Sequence, residues 1–166
     1  MKIVYYPDSS LRKKTVKITD EDIDSLYQEL ITGMINYDGI GLAGPQIGIN
    51  KSAAVISNNA DNSLVRPLLL VNPEILESSG EQTMEEGCLS VIGVNADITR
   101  SYRIKVEHGK DGERKQLEAE GLLAVIIQHE VDHLNGILFP DHLKFFKRLW
   151  CFFKARLNKF KKRKSL

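Results

Sequence analysis

The 166-residue chain reads as an α+β fold, with short antiparallel β-sheets around a central buried HExxH helix and further N-terminal and C-terminal helices. Three observations predict it. Residues 23–35 carry the one-sided apolar spacing of a surface helix, residues 102–108 alternate as a half-buried strand does, and residues 122–127 are apolar on every side, as a core helix must be. An apolar content of 42%, with 27% charged residues and only 12 Gly and 5 Pro, excludes collagen-like, low-complexity and disordered classes. The run 122–127 is the longest uninterrupted apolar stretch, far short of a bilayer-spanning helix. One domain is expected over residues 1–143, extended by a basic segment at 144–166.

The elements follow in order. Thr19 with Asp22 reads as a capping box, and Asp20, Glu21, Asp22 and Asp24 complement the positive end of a helix dipole. Ile23, Leu26, Tyr27, Leu30, Ile31, Met34 and Ile35 then form one apolar stripe, so a helix is expected from about Thr19 to near Asp38. A glycine-rich turn, residues 39–46, ends it. Residues 53–56 and 68–71 read as short strands, separated by a polar loop and stopped by Asn72-Pro73. Residues 102–108 set Ile104 and Val106 opposite Arg103, Lys105 and Glu107, and the turn 109–112 folds the chain back over 113–119 as a hairpin. The second helix is expected over about 120–135, with Gly136 placed to stop it.

Inside that second helix lies His129-Glu130-Val131-Asp132-His133. Residues four apart share a helical face, so both imidazoles can point at one metal ion with Glu130 beside them. Two histidines hydrogen-bonded in the core are the alternative. Burying two imidazoles and a carboxylate without a shared cation is costly, which favours the metal. A catalytic site needs a third protein ligand and an open position for water. No Glu follows Glu130, position 139 is Phe139, and His142 is three residues out of register with the extended HExxHxxGxxH pattern. Upstream, Cys88 in Glu86-Gly87-Cys88-Leu89-Ser90 is the leading candidate, because thiolate is a strong ligand and Gly87 allows close backbone approach. His108 is a rival, although its place in an alternating strand also explains it.

These residues resemble the peptide deformylase family, which removes the N-formyl group from nascent bacterial and organellar polypeptides. Three separated motifs carry the resemblance: Gly39-Ile40-Gly41-Leu42-Ala43-Gly44-Pro45-Gln46, Glu86-Gly87-Cys88-Leu89-Ser90 and Gln128-His129-Glu130-Val131-Asp132-His133-Leu134. The match extends over roughly residues 3–143. It implies metal ligation by Cys88, His129 and His133 with water in the fourth position. Glu130 would take the water's proton and deliver one to the leaving amine. The Gln46 amide and the Leu89 backbone N–H would hold the developing oxyanion. Ile40 and Gly41 would pair with substrate backbone. Met84, Leu122, Val125 and Ile126 would wall a pocket for the methionine side chain, although core packing explains these four as readily. Glu86 and Arg100 would pair beside the ligands. Ferrous iron is the implied ion, and the same donors accept zinc, nickel or cobalt. Two departures from the family pattern are Gly44, where alanine is usual, and Ile92, where proline is common; they predict a looser Gln46 and a freer loop after the cysteine.

Competing readings are another metallohydrolase using the same water chemistry, and an RNA-binding module with a structural metal. A structural site would normally close with a fourth protein ligand, and none is apparent. Two distant cysteines, Cys88 and Cys151, suggest no disulfide framework, and the opening MKIVYYPDSS has neither a signal-peptide core nor a transit pattern, so a cytoplasmic location is expected.

The net charge of +1 conceals an asymmetry. Residues 144–166 hold ten Lys/Arg and no Asp or Glu, which leaves residues 1–143 with 13 basic and 22 acidic residues, a formal −9. Phe145, Phe146, Leu149, Trp150, Phe153, Leu157 and Phe160 recur among these bases, the pattern of an amphipathic helix followed by a basic tail, Lys161-Lys162-Arg163-Lys164; packing of the apolar face, with Cys151 in it, on the body is one reading. Charge of one sign suggests a polyanionic partner. The resemblance implies the ribosome, since some bacterial deformylases bind it through a C-terminal helix. A membrane surface is the further reading.

Overall fold

The computed structural model describes residues 2–19, 23–58 and 66–164, with side chains as far as Lys161. It is α+β, with helices toward both ends. Helix α1, Ile23–Asn36, buries Leu26, Leu30 and Met34, which lie on the stripe read from sequence. The acidic residues 20–22 of the expected capping box lie outside the described residues.

Among the described residues, eight strands form three antiparallel sheets. The first sheet joins β1, Gly41–Ala43, to β2, Ala53–Ile56, and β3, Leu68–Val71. The second joins β4, Glu74–Ser79, to the predicted hairpin of β7, Arg103–His108, and β8, Lys115–Glu120. The third is the long hairpin of β5, Gln82–Cys88, and β6, Val91–Arg100. The expected turn at 39–46 is more ordered than a turn. It holds β1 and then a 3-10 turn over Gly44–Ile47, both buried apart from Ile47.

Helix α2, Gly121–Leu134, runs through the middle and ends before Gly136, which takes a left-handed φ of 75°. Leu123, Ala124, Ile126, Ile127 and Val131 pack with Ile56 and Leu70 of the first sheet and with Ile104, Val106 and Ala119 of the second. Each such Leu, Ile or Val contributes about 1.5–3 kcal/mol by leaving water. This apolar jacket holds the polar C-terminal half of α2 rigidly in place.

Helix α3, Phe145–Lys164, crosses β6. Cys151 and Ala155 are buried with Leu11, Val91, Val94, Ile98, Leu138 and Phe139, and the Phe152 ring stacks on Tyr6 at 4.6 Å. That corrects the sequence reading of this helix. Cys151 lies on the covered side, and the seven large apolar residues of the expected packing face are all 45–83% exposed. No described helix is long and apolar enough to cross a membrane.

Candidate metal centre and active site

The polar half of α2 meets β5 and the loop after β1. His129 and His133, one turn apart, set their rings edge to face at 5.0 Å. Alternation along β5 turns Met84, Glu86 and Cys88 to one side of the strand, toward α2. Cys88 ends the strand with Sγ 3.2 Å from His133 Nε2, and ligand atoms of Cys88, His129 and His133 all lie within 4.8 Å of one another. His108, the rival, stands half-buried in β7 and outside this group.

The donor set fits a single divalent ion. One thiolate and two imidazoles suit zinc or ferrous iron and leave a fourth position for another ligand. Glu86 Oε2 accepts from His129 Nδ1 at 2.8 Å, which leaves Nε2 of that ring available for a metal. Among the described residues, two buried atoms of this centre, Glu130 Oε2 and His133 Nδ1, have no hydrogen-bond partner. An orphaned carboxylate oxygen in such a place calls for a water or a reacting group.

Each neighbour is held in turn. Gln46 Oε1 accepts from the Ala43 backbone N–H at 2.8 Å, so its Nε2 points toward the cavity, 3.6 Å from Cys88 Sγ. Gly44 leaves no hole to loosen it: a Cβ there would meet the carbonyls of Ile49 and Lys51 at 2.7 and 2.9 Å, so the backbone has closed into that space. The loop after Cys88 is likewise anchored, because Asn158 Nδ2 of α3 donates to the Ile92 carbonyl at 2.9 Å. Gly87 is explained by a neighbour instead of by metal approach, since a Cβ would stand 2.7 Å from Asn95 Oδ1. Gly41 makes room for the carboxylate of α2: its Cβ would lie 2.5 Å from Glu130 Oε1.

A charge network braces the centre. Arg100, at the end of β6, donates from Nε and Nη2 to Glu86 at 2.5 and 3.1 Å, and from Nη1 to Asp132 at 2.8 Å. His142 Nε2 donates to Asp132 at 2.7 Å. Burial alone would raise the Glu86 carboxyl, but the bonds from His129 and Arg100 outweigh it and hold the group at about 2. Burial dominates at Glu130 and pushes it up to about 7, against the pull of His129 and Arg100. Burial also drives His133 well below the usual imidazole range, which keeps it neutral as a ligand must be. Arg100 is no surface charge, at 6% exposure. Asp132 and His142 escaped sequence reasoning as braces; the available signal was an arginine ending a strand whose alternation faces it inward, where its guanidinium needs more than one acceptor.

A cavity of about 390 Å³ opens onto this centre. Ile40, Gly41, Met84, Leu122, Val125 and Ile126 line it together with Gln46, Glu86, Cys88, Leu89, His129 and Glu130. Ile40 and Leu122 remain 52% and 45% exposed at its edge, whereas Val125 and Ile126 are buried. Of the site residues singled out from sequence, only His133 and Arg100 do not line it, and both stand directly behind lining residues. The cavity wall thus joins apolar side chains to the polar groups of the centre.

A family model described as polypeptide deformylase matches residues 1–149. The peptide deformylase of Picosynechococcus sp. is 41% identical over 149 residues, covering 87% of this chain and 79% of the relative. That of Hydrogenovibrio crunogenus is 43% identical over 164 residues, covering 96% and 92%. Among solved structures, a peptide deformylase from Legionella pneumophila has a TM-score of 0.85 at 38% identity, covering 99% of this chain and 96% of that one. One from Synechococcus elongatus in complex with actinonin has a TM-score of 0.83 at 36% identity, covering 93% and 86%. Sequence and fold agree over nearly the whole length, and on that ground the chain belongs to the polypeptide deformylase family of metal-dependent hydrolases.

Proposed function

We propose that this chain hydrolyses the N-formyl group of N-formylmethionyl polypeptides, releasing formate and a free amino terminus. The observation that carries the reading is the convergence of Cys88, His129 and His133 beside the cavity, with Glu130 buried beside them and Gln46 aimed at the same point. Those three ligands would hold one divalent ion, for which we propose ferrous iron in the cell; when bound, it supplies the Lewis acidity that lets water attack at neutral pH.

The remaining work falls to the chain's own groups. Attack forms a carbon–oxygen bond to the formyl carbon, and collapse breaks the carbon–nitrogen bond. Glu130 accepts the proton that the attacking water loses and returns one to the departing amine. Gln46 Nε2 and the Leu89 backbone N–H stabilise the negative charge on the carbonyl oxygen as it develops. Gly41 and Ile40 run beside the cavity as a backbone edge against which an extended peptide can pair. Met84, Leu122, Val125 and Ile126 offer apolar surface to a methionine side chain, whose flexible thioether suits such a trough. Glu86 and Arg100 act through His129 and Asp132 as positioning residues.

The test is hydrolysis of formyl-Met peptides by anaerobically prepared protein of measured metal content, beside a Glu130→Ala variant. Formate release by the wild type, with none above background from the variant at equal metal content, is expected. A wild type that is inert with a full complement of iron overturns the activity. An active variant overturns the role of Glu130. Actinonin, bound in the Synechococcus elongatus structure, should inhibit the wild type.

A further inference from the structure

Helix α3 carries two apolar faces, and the body covers only one. Cys151, Ala155 and Phe152 face β6 and the segments around Tyr6 and Leu138. Two residues along a helix is slightly more than half a turn, so Phe153 lies on the opposite side from Cys151. Phe146, Phe153 and Phe160 recur every seven residues on that outer side, at 83%, 63% and 54% exposure. Leu149, Trp150 and Leu157 widen the stripe, each between 45% and 56% exposed. It runs roughly 20 Å along the helix. An exposed apolar patch of this length marks a surface that meets something.

Charge borders the stripe. By helical geometry Lys147, Lys154 and Lys161, also seven apart, follow one edge, and Arg156 stands on the other. Lys154 Nζ sits 4.8 Å from the Trp150 ring centroid, a cation beside an aromatic at the border of the apolar zone. From 144 to 166 no acidic residue interrupts this pattern, while residues 1–143 carry a formal −9.

We infer that the outer face of α3 binds an anionic bilayer surface, with the helix lying in the headgroup plane and the acidic body held away from it. A lipid interface satisfies both halves of the pattern at once. The Phe, Leu and Trp side chains enter the acyl boundary, and the flanking lysines and Arg156 meet lipid phosphates. An RNA surface would pair the charges and leave six large apolar side chains in water. A second copy of the chain would bury the apolar stripe and bring like charges together along both borders. The body's formal −9 against the all-basic α3 favours an orientation with α3 toward an anionic surface.

The chain has one tryptophan, so Trp150 emission reports on this face directly. Full-length protein is floated with phosphatidylcholine vesicles and with vesicles of equal parts phosphatidylcholine and phosphatidylglycerol. Flotation with the anionic vesicles alone, a blue shift of Trp150 emission, and weakening by high salt are expected. The double variant Phe146→Glu/Phe153→Glu, which alters two exposed side chains, should keep its helical circular dichroism and lose vesicle binding by about tenfold or more. A Lys147→Glu/Lys161→Glu variant should lose the preference for anionic lipid. Absence of flotation, flotation undiminished in the apolar variant, or cosedimentation with ribosomes in place of vesicle binding each overturns the inference.

Discussion

Helices α2 and α3 share a property and put it to opposite uses. Both have apolar residues on more than one side. Around α2 two sheets close over those residues, and the charged groups of its last two turns are drawn into mutual contact: His129 with Glu86, Asp132 with Arg100 and His142, and Glu130 buried against Gly41. Around α3 the body reaches one side only, and the charges are all of one sign, strung along an exposed stripe. Apolar residues on more than one side therefore do not by themselves mean a buried helix. What separates the two is the company the charges keep. Opposite charges that can satisfy one another go inside with a helix, and cations alone keep it at the surface.

The largest effect should come from opening the network behind α2. Arg100→Met removes the shared partner of buried Glu86 and half-buried Asp132 and leaves each carboxylate only its histidine, His129 and His142. A loss of about 3–5 kcal/mol in denaturant unfolding is expected. With Glu86 no longer braced behind His129, metal affinity should fall about 10–100-fold in a chelator competition. An unfolding curve unchanged from wild type would mean that the centre does not depend on this brace.

Next comes the contact between β1 and α2. Gly41→Ala sets a Cβ where Glu130 Oε1 now lies, 2.5 Å away, so the carboxylate must move. A displacement of about 1 Å costs on the order of 10²-fold in turnover. We expect that loss in kcat for formyl-Met peptide hydrolysis with metal content unchanged. Unaltered kcat would show that Glu130 has slack that the packing does not suggest.

The same contrast explains which parts of the molecule were legible in sequence. That His129 and His133 share one face of α2 is legible because the information is local: residues four apart on a helix lie one above the other, and burying both is costly without a cation between them. Strands β2 and β3 were found at their true limits because each is a short apolar run ended by polar or proline-containing segments. Strands β4, β5 and β6 were not read as strands. Their inward positions include Glu86 and Arg100, so alternation of burial does not appear as alternation of hydrophobicity. Gly93, at a φ of 64°, and the irregular pairing between Gly87 and Cys88 break the period further. Which face of α3 would be covered was illegible for a different reason. Both faces are apolar, and the choice depends on Tyr6, Leu138 and Val94, residues far apart in sequence that meet only in the folded chain.

The two faces of α3 supply the smallest effects and the sharpest contrast. On the covered side, Asn158 Nδ2 donates to the Ile92 carbonyl at 2.9 Å and lies 3.4 Å from that of Gly93, tying α3 to the loop that follows Cys88. Gly93 lets it approach, since a Cβ there would stand 2.7 Å from the same nitrogen. Asn158→Ala strands those carbonyls and should cost about 1 kcal/mol in stability. On the outer side, Phe153→Ser removes a far larger apolar group. Because that group is already 63% in water, the change in unfolding free energy should stay within about 0.5 kcal/mol. A naive reading by hydrophobicity ranks the two the other way. If Phe153→Ser proves the more damaging in denaturant titrations, the outer stripe is part of the fold, and α3 is a second α2 whose cover is supplied by the chain itself. If Asn158→Ala is the more damaging, the outer stripe contributes little to folding, and folding does not account for its aromatic content.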